Sequence, residues 1–119
     1  MARRAGTLLG GTLDLLVLRA LSWGSAHGYG IARWIERTTD DALRVEEGSL
    51  YPALHRLEEE GVIESRWGES ETGRRARYYA LTAAGERRLA QEREAWRRFA
   101  RAMEKVVRAE PVTGSGRGK

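Results

Sequence analysis

Cysteine is absent from this chain of 119 residues, and few residues remain for metal or covalent chemistry. Without cysteine there is no disulfide framework, no cysteine-ligated zinc site, no thiol nucleophile and no redox switch. His27 and His55 stand far apart in the sequence, whereas zinc sites need histidines or cysteines at short spacing. No glycine-rich loop follows a predicted strand to hold a nucleotide phosphate. We therefore expect neither a metal nor a cofactor.

A long uninterrupted apolar run is also missing. Arg3 and Arg4 precede several leucines, as in a secretory signal, but Asp14 and Arg19 interrupt the apolar stretch that follows. A bilayer span needs about 18 apolar residues in succession. The sequence therefore predicts no membrane partner and a cytoplasmic location, which agrees with the absence of cysteine.

Neither sign of charge is in strong excess. The chain has 21 Lys and Arg residues against 17 Asp and Glu residues, which gives a net charge of +4 and a pI near 10.0. A mildly basic surface favours a polyanionic partner, but an ordinary solvated surface explains the charge equally well. A chain of 119 residues fits one domain, which excludes a multidomain enzyme.

Apolar residues at helical spacing predict the first two helices. In the first helix, the apolar face comprises Leu13, Leu16, Val17, Ala20 and Leu21. Thr12 is the predicted N-cap of this helix, and residues 1–12 are predicted to form a flexible N-terminal arm. After a turn rich in glycine and serine, a second helix buries Ile31, Trp34 and Ile35.

A third helix is predicted to begin at Ser49 and to end at Gly61. Ser49 is the predicted N-cap, and Pro52 then falls in the first turn, where its missing N–H costs no hydrogen bond. The residues at core spacing are Leu50, Ala53, Leu54 and Leu57. This arrangement leaves an unusual exposed set, which comprises Ser49, Tyr51, Pro52, His55, Arg56 and Glu59.

Two stretches rich in β-branched and aromatic residues follow, at 62–67 and 75–81, and predict a β-hairpin. The connecting residues 68–73 contain nothing to bury, so we expect a projecting tip. Directly after the tip come three arginines, Arg74, Arg75 and Arg77. They either form a basic surface or pair with Glu69 and Glu71 of the hairpin itself.

The last helix is predicted to run from its N-cap, Thr82, to Ala109. Its length of about 40 Å is more than the core of so small a domain can cover. Its apolar residues fall on alternating a and d positions of a heptad, at Leu89, Trp96, Phe99, Met103 and Val106. Glu92 is the polar break in this seam. Because such a seam packs against another helix, residues 83–110 are predicted to be a C-terminal dimerisation helix, followed by a disordered tail at 111–119.

Together these elements predict a mainly α fold with a small β-hairpin (α+β), arranged as a winged helix-turn-helix over residues 13–82. In helix-turn-helix proteins, the second helix of the motif enters the major groove of DNA, which is about 12 Å wide. That helix is the third one here. The order of the elements thus favours a DNA-binding protein.

Three motifs stand in order along these elements. They are His27-Gly28-Tyr29-Gly30-Ile31, then Gly48-Ser49-Leu50-Tyr51-Pro52-Ala53-Leu54-His55-Arg56-Leu57-Glu58, and then Gly73-Arg74-Arg75-Ala76-Arg77-Tyr78-Tyr79-Ala80-Leu81-Thr82. Their sequence and spacing resemble the PadR family of transcriptional regulators. The resemblance covers nearly all of residues 13–107, and the single C-terminal helix is similar to the compact subgroup of that family.

The resemblance implies a bacterial homodimer that binds an approximately palindromic operator in double-stranded DNA and represses transcription until an effector releases it. It assigns the groove-facing side of the third helix to Ser49, Tyr51, Pro52 and His55. It also implies a phosphate contact for Tyr29 and a basic wing formed by Arg74, Arg75 and Arg77. In some compact relatives, a small flat aromatic effector stacks between residues such as Trp96.

Several of these assignments have an alternative that the sequence leaves open. His55 touches a base edge or only covers the helix surface, and Tyr29 touches a phosphate or packs in the core. Trp96 binds an effector or is a packing residue of the dimer seam, which is the commoner role of apolar residues at heptad spacing. The acidic run 58–60 is expected to repel phosphate, so only the N-terminal half of the third helix should enter the groove.

Two other classes of function compete with DNA binding. Tyr51, His55 and Glu59 lie at i, i+4 and i+8 and could relay a proton, but they are predicted on a convex, exposed face where acid–base groups are not perturbed. The sequence therefore predicts that the protein is not an enzyme. The second alternative is a winged-helix module that dimerises and binds another protein without reading DNA sequence, against which the basic wing argues.

Overall fold

The computed structural model describes residues 2–111, with the side chains of residues 12–111. This part of the chain forms, in order, α1 (Ala2–Leu21), β1 (Ala26–His27), α2 (Gly28–Thr38), α3 (Glu47–Glu59), β2 (Ile63–Glu69), β3 (Arg75–Leu81) and α4 (Ala83–Arg108). The strands form one antiparallel sheet in the order β1-β3-β2. The predicted mainly helical fold, a winged helix-turn-helix followed by a long C-terminal helix, is confirmed.

The first helix begins earlier than predicted. It starts at Ala2, so residues 2–12 are helical rather than a flexible arm, and Thr12 lies inside the helix instead of capping it. Starting a helix is costly, but each residue added to an existing helix gains one hydrogen bond. The helix therefore extends toward its N-terminus more readily than a new one forms. The glycines at positions 10 and 11 each cost about 1 kcal/mol relative to alanine, which weakens a helix without ending it. Of the predicted tail at 111–119, residues 112–119 lie outside the described residues.

The core lies where the helices meet the base of the hairpin. Its largest fully buried side chains are Leu18, Ile31, Ile35, Leu50, Leu54, Leu57, Ile63 and Val17. The predicted apolar stripe of α3 is buried in full, and Ile31 and Ile35 of α2 are buried as well. Trp34 is only partly buried at the edge of this cluster. Periodicity therefore located the core-facing side of α2 and α3. In α1 it missed Leu18, which is fully buried, and included Leu16, which is only partly buried.

The third helix also begins earlier than predicted. Its N-cap is Glu46, and Ser49 lies in the first turn, where its backbone N–H donates to the Glu46 carbonyl at 3.0 Å. The prediction that Ser49 is the N-cap is therefore wrong, and Pro52 lies inside the helix rather than in its first turn. Acidic residues favour a helix N-terminus, which explains a start at Glu46–Glu47. Because proline has no N–H, the Gly48 carbonyl lacks its usual partner four residues on.

The end of α3 is at the position that the sequence predicts. Gly61 adopts a φ of 79°, which favours glycine. Its N–H donates to the Glu58 carbonyl at 3.0 Å, and the Val62 N–H donates to the Leu57 carbonyl at 3.2 Å. This pair of bonds is a Schellman motif, which satisfies the last carbonyls of the helix and directs the chain into β2.

A third, very short strand was not predicted. Ala26 and His27 of β1 pair with Tyr79 and Tyr78 of β3. His27 also caps α2, because its Nδ1 accepts a hydrogen bond from the Gly30 N–H at 3.0 Å. A strand of two residues is too short to show a periodic pattern in the sequence. Only the folded structure therefore reveals that β1 connects the start of α2 to the hairpin.

A charged cluster joins α1, α3 and α4. The two guanidinium nitrogens of Arg56 donate to the carboxylate of Asp14 at 2.9 and 2.8 Å, and this bond raises the pKa of Arg56. Arg88 of α4 donates to Glu60 and to Glu92, both at 3.1 Å. Glu92, which breaks the predicted seam, therefore has a role within the protomer: it helps to fix α4 against α3.

The fourth helix begins on the core and continues beyond it. Thr82 caps it as predicted, because its Oγ1 accepts a hydrogen bond from the Gly85 N–H at 3.1 Å. Leu89 is only 7% exposed and belongs to the core of this chain, so it is already buried without a second copy of the chain. Farther along, Trp96, Phe99 and Met103 are 44%, 46% and 49% exposed.

The start of α4 predicts a large effect for one small substitution. A Cβ added at Gly85 would overlap the carbonyl oxygen of Val62, a backbone atom that accepts a hydrogen bond from the Thr82 N–H. We expect Gly85→Ala to lower the free energy of unfolding by about 1–3 kcal/mol or more, through overpacking. Chemical denaturation would measure this change. Gly48→Ala is the matched control: a Cβ there meets open space, so a stability equal to or slightly above that of the parent is expected.

Candidate nucleic-acid interface

A groove of about 560 Å³ runs between the hairpin and the N-terminal parts of α2 and α3. We refer to β2, β3 and their connecting residues 70–74 as the wing, and to this concavity as the wing groove. Its exposed aromatic and basic lining residues are Tyr29, Tyr51, Trp67, Arg74, Arg75 and Arg77. Five of these six were identified from the sequence as DNA-binding candidates, and the fold brings them together from three separate segments of the chain.

The exposed side of α3 forms one wall of this region. Ser49, Tyr51, Pro52 and His55 are all exposed, since the opposite side of the helix is buried in the core. Tyr51 lies against the backbone of Gly28: a Cβ there would be 2.6 Å from the tyrosine Oη and 2.8 Å from its Cε1. Glycine at position 28 therefore allows the Tyr51 ring to lie beside the start of α2.

Tyr29 lies in the first turn of α2 and is 66% exposed. Its ring stacks loosely on that of His27, with 6.4 Å between the centroids. The alternative that Tyr29 is a packed core residue is therefore wrong. Together with Tyr51, it gives the wing groove two phenol groups, which can donate hydrogen bonds to an anion.

The wing arginines differ in their partners. Arg77 donates to the Ser65 hydroxyl at 2.9 Å and lies 3.6 Å from the carboxylate of Glu58 on α3. Among the residues whose side chains are described, neither Arg74 nor Arg75 pairs with a carboxylate. The alternative that Glu69 and Glu71 of the hairpin neutralise Arg74 and Arg75 is therefore wrong.

Trp67, which no sequence pattern had singled out, lies in the middle of the wing. It is 55% exposed and carries the guanidinium groups of Arg75 and Arg77 over its ring, at 4.7 and 5.6 Å from the centroid. Register explains this arrangement, because Trp67 pairs directly with Arg77 across the hairpin. The alternation of side chains along each strand could have placed Trp67, Arg75 and Arg77 on one face of the hairpin, but only if the pairing register of β2 and β3 had been known.

The acidic run at the end of α3 has cationic neighbours. Glu58 lies beside Arg77, Glu60 lies beside Arg88, and the Glu59 carboxylate is 3.4 Å from the Nε2 of His55. His55 and Glu59 are 76% and 70% exposed. A proton relay through Tyr51, His55 and Glu59 would therefore lie on an open surface, which is a poor setting for acid–base catalysis.

Within residues 2–111, no cluster of three or more metal-ligating side chains is found. No helix in that range is long and apolar enough to cross a membrane. Burial raises the pKa of Tyr79, which lies on the groove side of β3 close to Arg77 and stays neutral. The chemistry of the wing groove is therefore that of phenols and arginines on a solvated surface.

A helix-turn-helix pair, a basic antiparallel wing and a long C-terminal helix define a winged helix-turn-helix protein. The profile of the transcriptional regulator PadR-like family matches residues 17–91. The chain belongs to this family, so it is a transcriptional regulator and not an enzyme.

Individual relatives agree with this assignment. The transcriptional regulator Rv3488 of Mycobacterium tuberculosis is 34% identical over 87 residues, which are 73% of this chain and 78% of that protein. The structure of a transcriptional regulator from Clostridium thermocellum is similar with a TM-score of 0.78 at 32% identity, covering 86% of this chain and 99% of that one. For a PadR-like transcriptional regulator from Bacillus cereus, the TM-score is 0.74 at 26% identity, with coverages of 87% and 99%.

Proposed function

We propose that the protein is a homodimeric, sequence-specific DNA-binding repressor of bacterial transcription. The observation that carries this proposal is the wing groove, where exposed phenols of α2 and α3 lie beside Arg74 and Arg75, which have no carboxylate partner among the residues whose side chains are described. Such a surface suits a phosphodiester strand, because phosphate oxygens accept hydrogen bonds from both groups. A regulator of this kind acts on chromosomal DNA in the bacterial cytoplasm.

The proposed DNA contacts fall into two groups. The N-terminal half of α3, with Ser49, Tyr51, Pro52 and His55, would enter the major groove, and Tyr29 would contact the flanking phosphate backbone. Arg74, Arg75 and Arg77 would bind phosphates or the adjacent minor groove through the wing. The exposure of these side chains supports this division, because every one of them reaches solvent without a change in the fold.

Dimerisation would occur through α4. Its exposed apolar side comprises Trp96, Phe99, Met103 and Val106, at the heptad spacing of a helix–helix seam. Trp96 and Phe99 already contact each other, with 5.7 Å between their ring centroids. A two-fold axis along this side would present two copies of α3 to the two halves of an approximately palindromic operator.

A small aromatic effector is the remaining part of the proposal. Trp96 is 44% exposed and lies outside the core of the protomer, so in a dimer its ring would be available at the interface. A flat aromatic molecule stacked there would alter the relative position of the two α4 helices and thereby the spacing of the two copies of α3. Such binding would be detected by titrating the dimer with aromatic compounds and recording its tryptophan fluorescence. A change that the Trp96→Leu variant does not show would indicate binding at Trp96.

Selection from a random-sequence DNA library tests the central proposal. The purified protein is mixed with the library, bound duplexes are sequenced, and the selection is repeated at higher salt. We expect an inverted repeat whose half-sites are about 10 base pairs apart or a multiple of that distance. Retention that vanishes with salt without any enriched sequence would contradict sequence-specific reading, and the alternative of a winged-helix protein-interaction module would then be preferred.

The contact between Gly28 and Tyr51 allows a prediction on DNA affinity. Gly28→Ala would force the Tyr51 ring away from its position over α2, since the added Cβ would lie within 3 Å of it. We expect operator affinity to fall about a hundredfold, since each protomer of the dimer loses a hydrogen bond to a charged group worth about tenfold, with thermal stability retained. In a Tyr51→Ala background the same substitution should have no further effect. An equal loss in both backgrounds would contradict a role through Tyr51.

A further inference from the structure

Trp67 lies at the centre of the basic wing, and none of the contacts proposed above includes it. Tryptophan is costly to expose, yet this side chain is 55% exposed and lines the wing groove. It is not one of the buried residues of the apolar core. Its surroundings therefore indicate a role at the surface rather than in folding.

The pairing of the hairpin places two arginines on the same face as the indole. Trp67 is opposite Arg77, and Glu69 is opposite Arg75, so alternate residues of the two strands point to one side. The Arg75 guanidinium is 4.7 Å from the ring centroid of Trp67, and that of Arg77 is 5.6 Å from it. Both distances are typical of cation–π contacts.

The two arginines depend on Trp67 to different degrees. Arg77 is also held by Ser65 and Glu58, so its position does not require the indole. For Arg75, the contact with Trp67 is the single side-chain interaction that the described residues provide. A cation–π contact restrains a guanidinium without cancelling its charge, and it leaves the N–H groups at the guanidinium edge free to donate.

We propose that Trp67 is a positioning residue for DNA binding: its indole holds the charged Arg75 side chain at the wing groove, ready to bind a backbone phosphate. The proposal rests on the proposed function and deepens it. A free arginine loses rotamer entropy when it binds a phosphate, whereas an arginine already held on a ring loses less. Trp67 thus increases the affinity for DNA through Arg75, without a contact between the indole and a nucleotide.

A double-mutant cycle on Trp67→Leu and Arg75→Ala tests this coupling. Binding is measured on a mixed-sequence duplex of 30 base pairs at low salt, since a phosphate contact does not depend on sequence. Ordering a rotamer-rich side chain costs about two- to tenfold in affinity, so Trp67→Leu, which frees Arg75 in both protomers, should weaken binding by the dimer about four- to a hundredfold. In the Arg75→Ala background the same substitution should have little effect. Trp67→Phe, which keeps an aromatic face, should restore most of the affinity.

Trp23 provides the matched control. It is 66% exposed and has the Arg19 guanidinium 4.6 Å from its ring centroid, but it does not line the wing groove. Trp23→Leu should leave DNA affinity unchanged, and thermal melts of all variants should coincide.

The possible failures are distinguishable. A parent protein that binds no duplex would overturn the proposed function and this inference together. If the parent binds but Trp67→Leu costs the same with and without Arg75, Trp67 does not act through Arg75, and this inference alone is wrong. A Trp67→Phe variant as weak as Trp67→Leu would likewise contradict a role of the aromatic face.

Discussion

Replacing Trp96 and Phe99 together by aspartate is expected to convert the proposed dimer into monomers that bind operator DNA poorly. The two side chains are about half exposed in the protomer, and neither belongs to its core, so the winged-helix fold should persist. In the dimer seam, each aspartate would remove apolar burial and place a charge next to its symmetry mate in a dry contact. We expect the dimer dissociation constant to rise at least about a thousandfold, which corresponds to about 4 kcal/mol.

Sedimentation velocity over a range of protein concentrations would measure this change. Operator affinity should fall in parallel, since a dimer binds its second half-site as an intramolecular event and a monomer does not. Trp23→Asp is the control, because it places an aspartate at an exposed tryptophan outside the seam. Circular dichroism would establish that α4 remains helical in the variant. A double variant that stays dimeric with normal helicity would mean that another surface holds the two chains together.

The sequence predicted those parts of the fold that depend on local pattern. The apolar stripe of α3, the glycine that ends it and the threonine that caps α4 each follow from residues a few positions apart, and each is confirmed. The helix starts were harder. Ser49 is a good N-cap by residue type, but the acidic Glu46 and Glu47 begin the helix one turn earlier. Capping preferences are worth about 1 kcal/mol, which neighbouring residues readily offset.

The features that sequence reasoning missed all join distant parts of the chain. The bidentate bond between Asp14 and Arg56 spans 42 positions, and no local pattern encodes it. Trp67 acquires its two arginines only through the register of the hairpin. For the candidate interface, the sequence and the family resemblance identified the arginines and tyrosines, but not that Arg77 has an acidic partner on α3, whereas Arg75 has none among the residues whose side chains are described. That difference gives the wing arginines different surroundings.

Replacing Arg74 and Arg75 together by alanine is the second change for which we expect a large effect. Neither side chain pairs with a carboxylate in the described structure, so their removal leaves no acidic group unpaired and should not lower stability. A hydrogen bond to a charged group is worth about 1.5–3 kcal/mol, and in a dimer the two substitutions would remove up to four such bonds to phosphate. Operator affinity should therefore fall at least about a hundredfold at physiological salt.

The salt dependence gives the sharper readout. A plot of log affinity against log salt should become shallower by about 0.9 for each phosphate that the variant no longer neutralises. Arg97→Ala with Arg98→Ala is the matched control, because it removes the same charge from exposed arginines of α4 that both lie near Glu94. If the control variant loses as much affinity and slope as the wing variant, overall charge and not the wing attracts DNA. If only the wing variant changes, the wing binds phosphate through these two arginines.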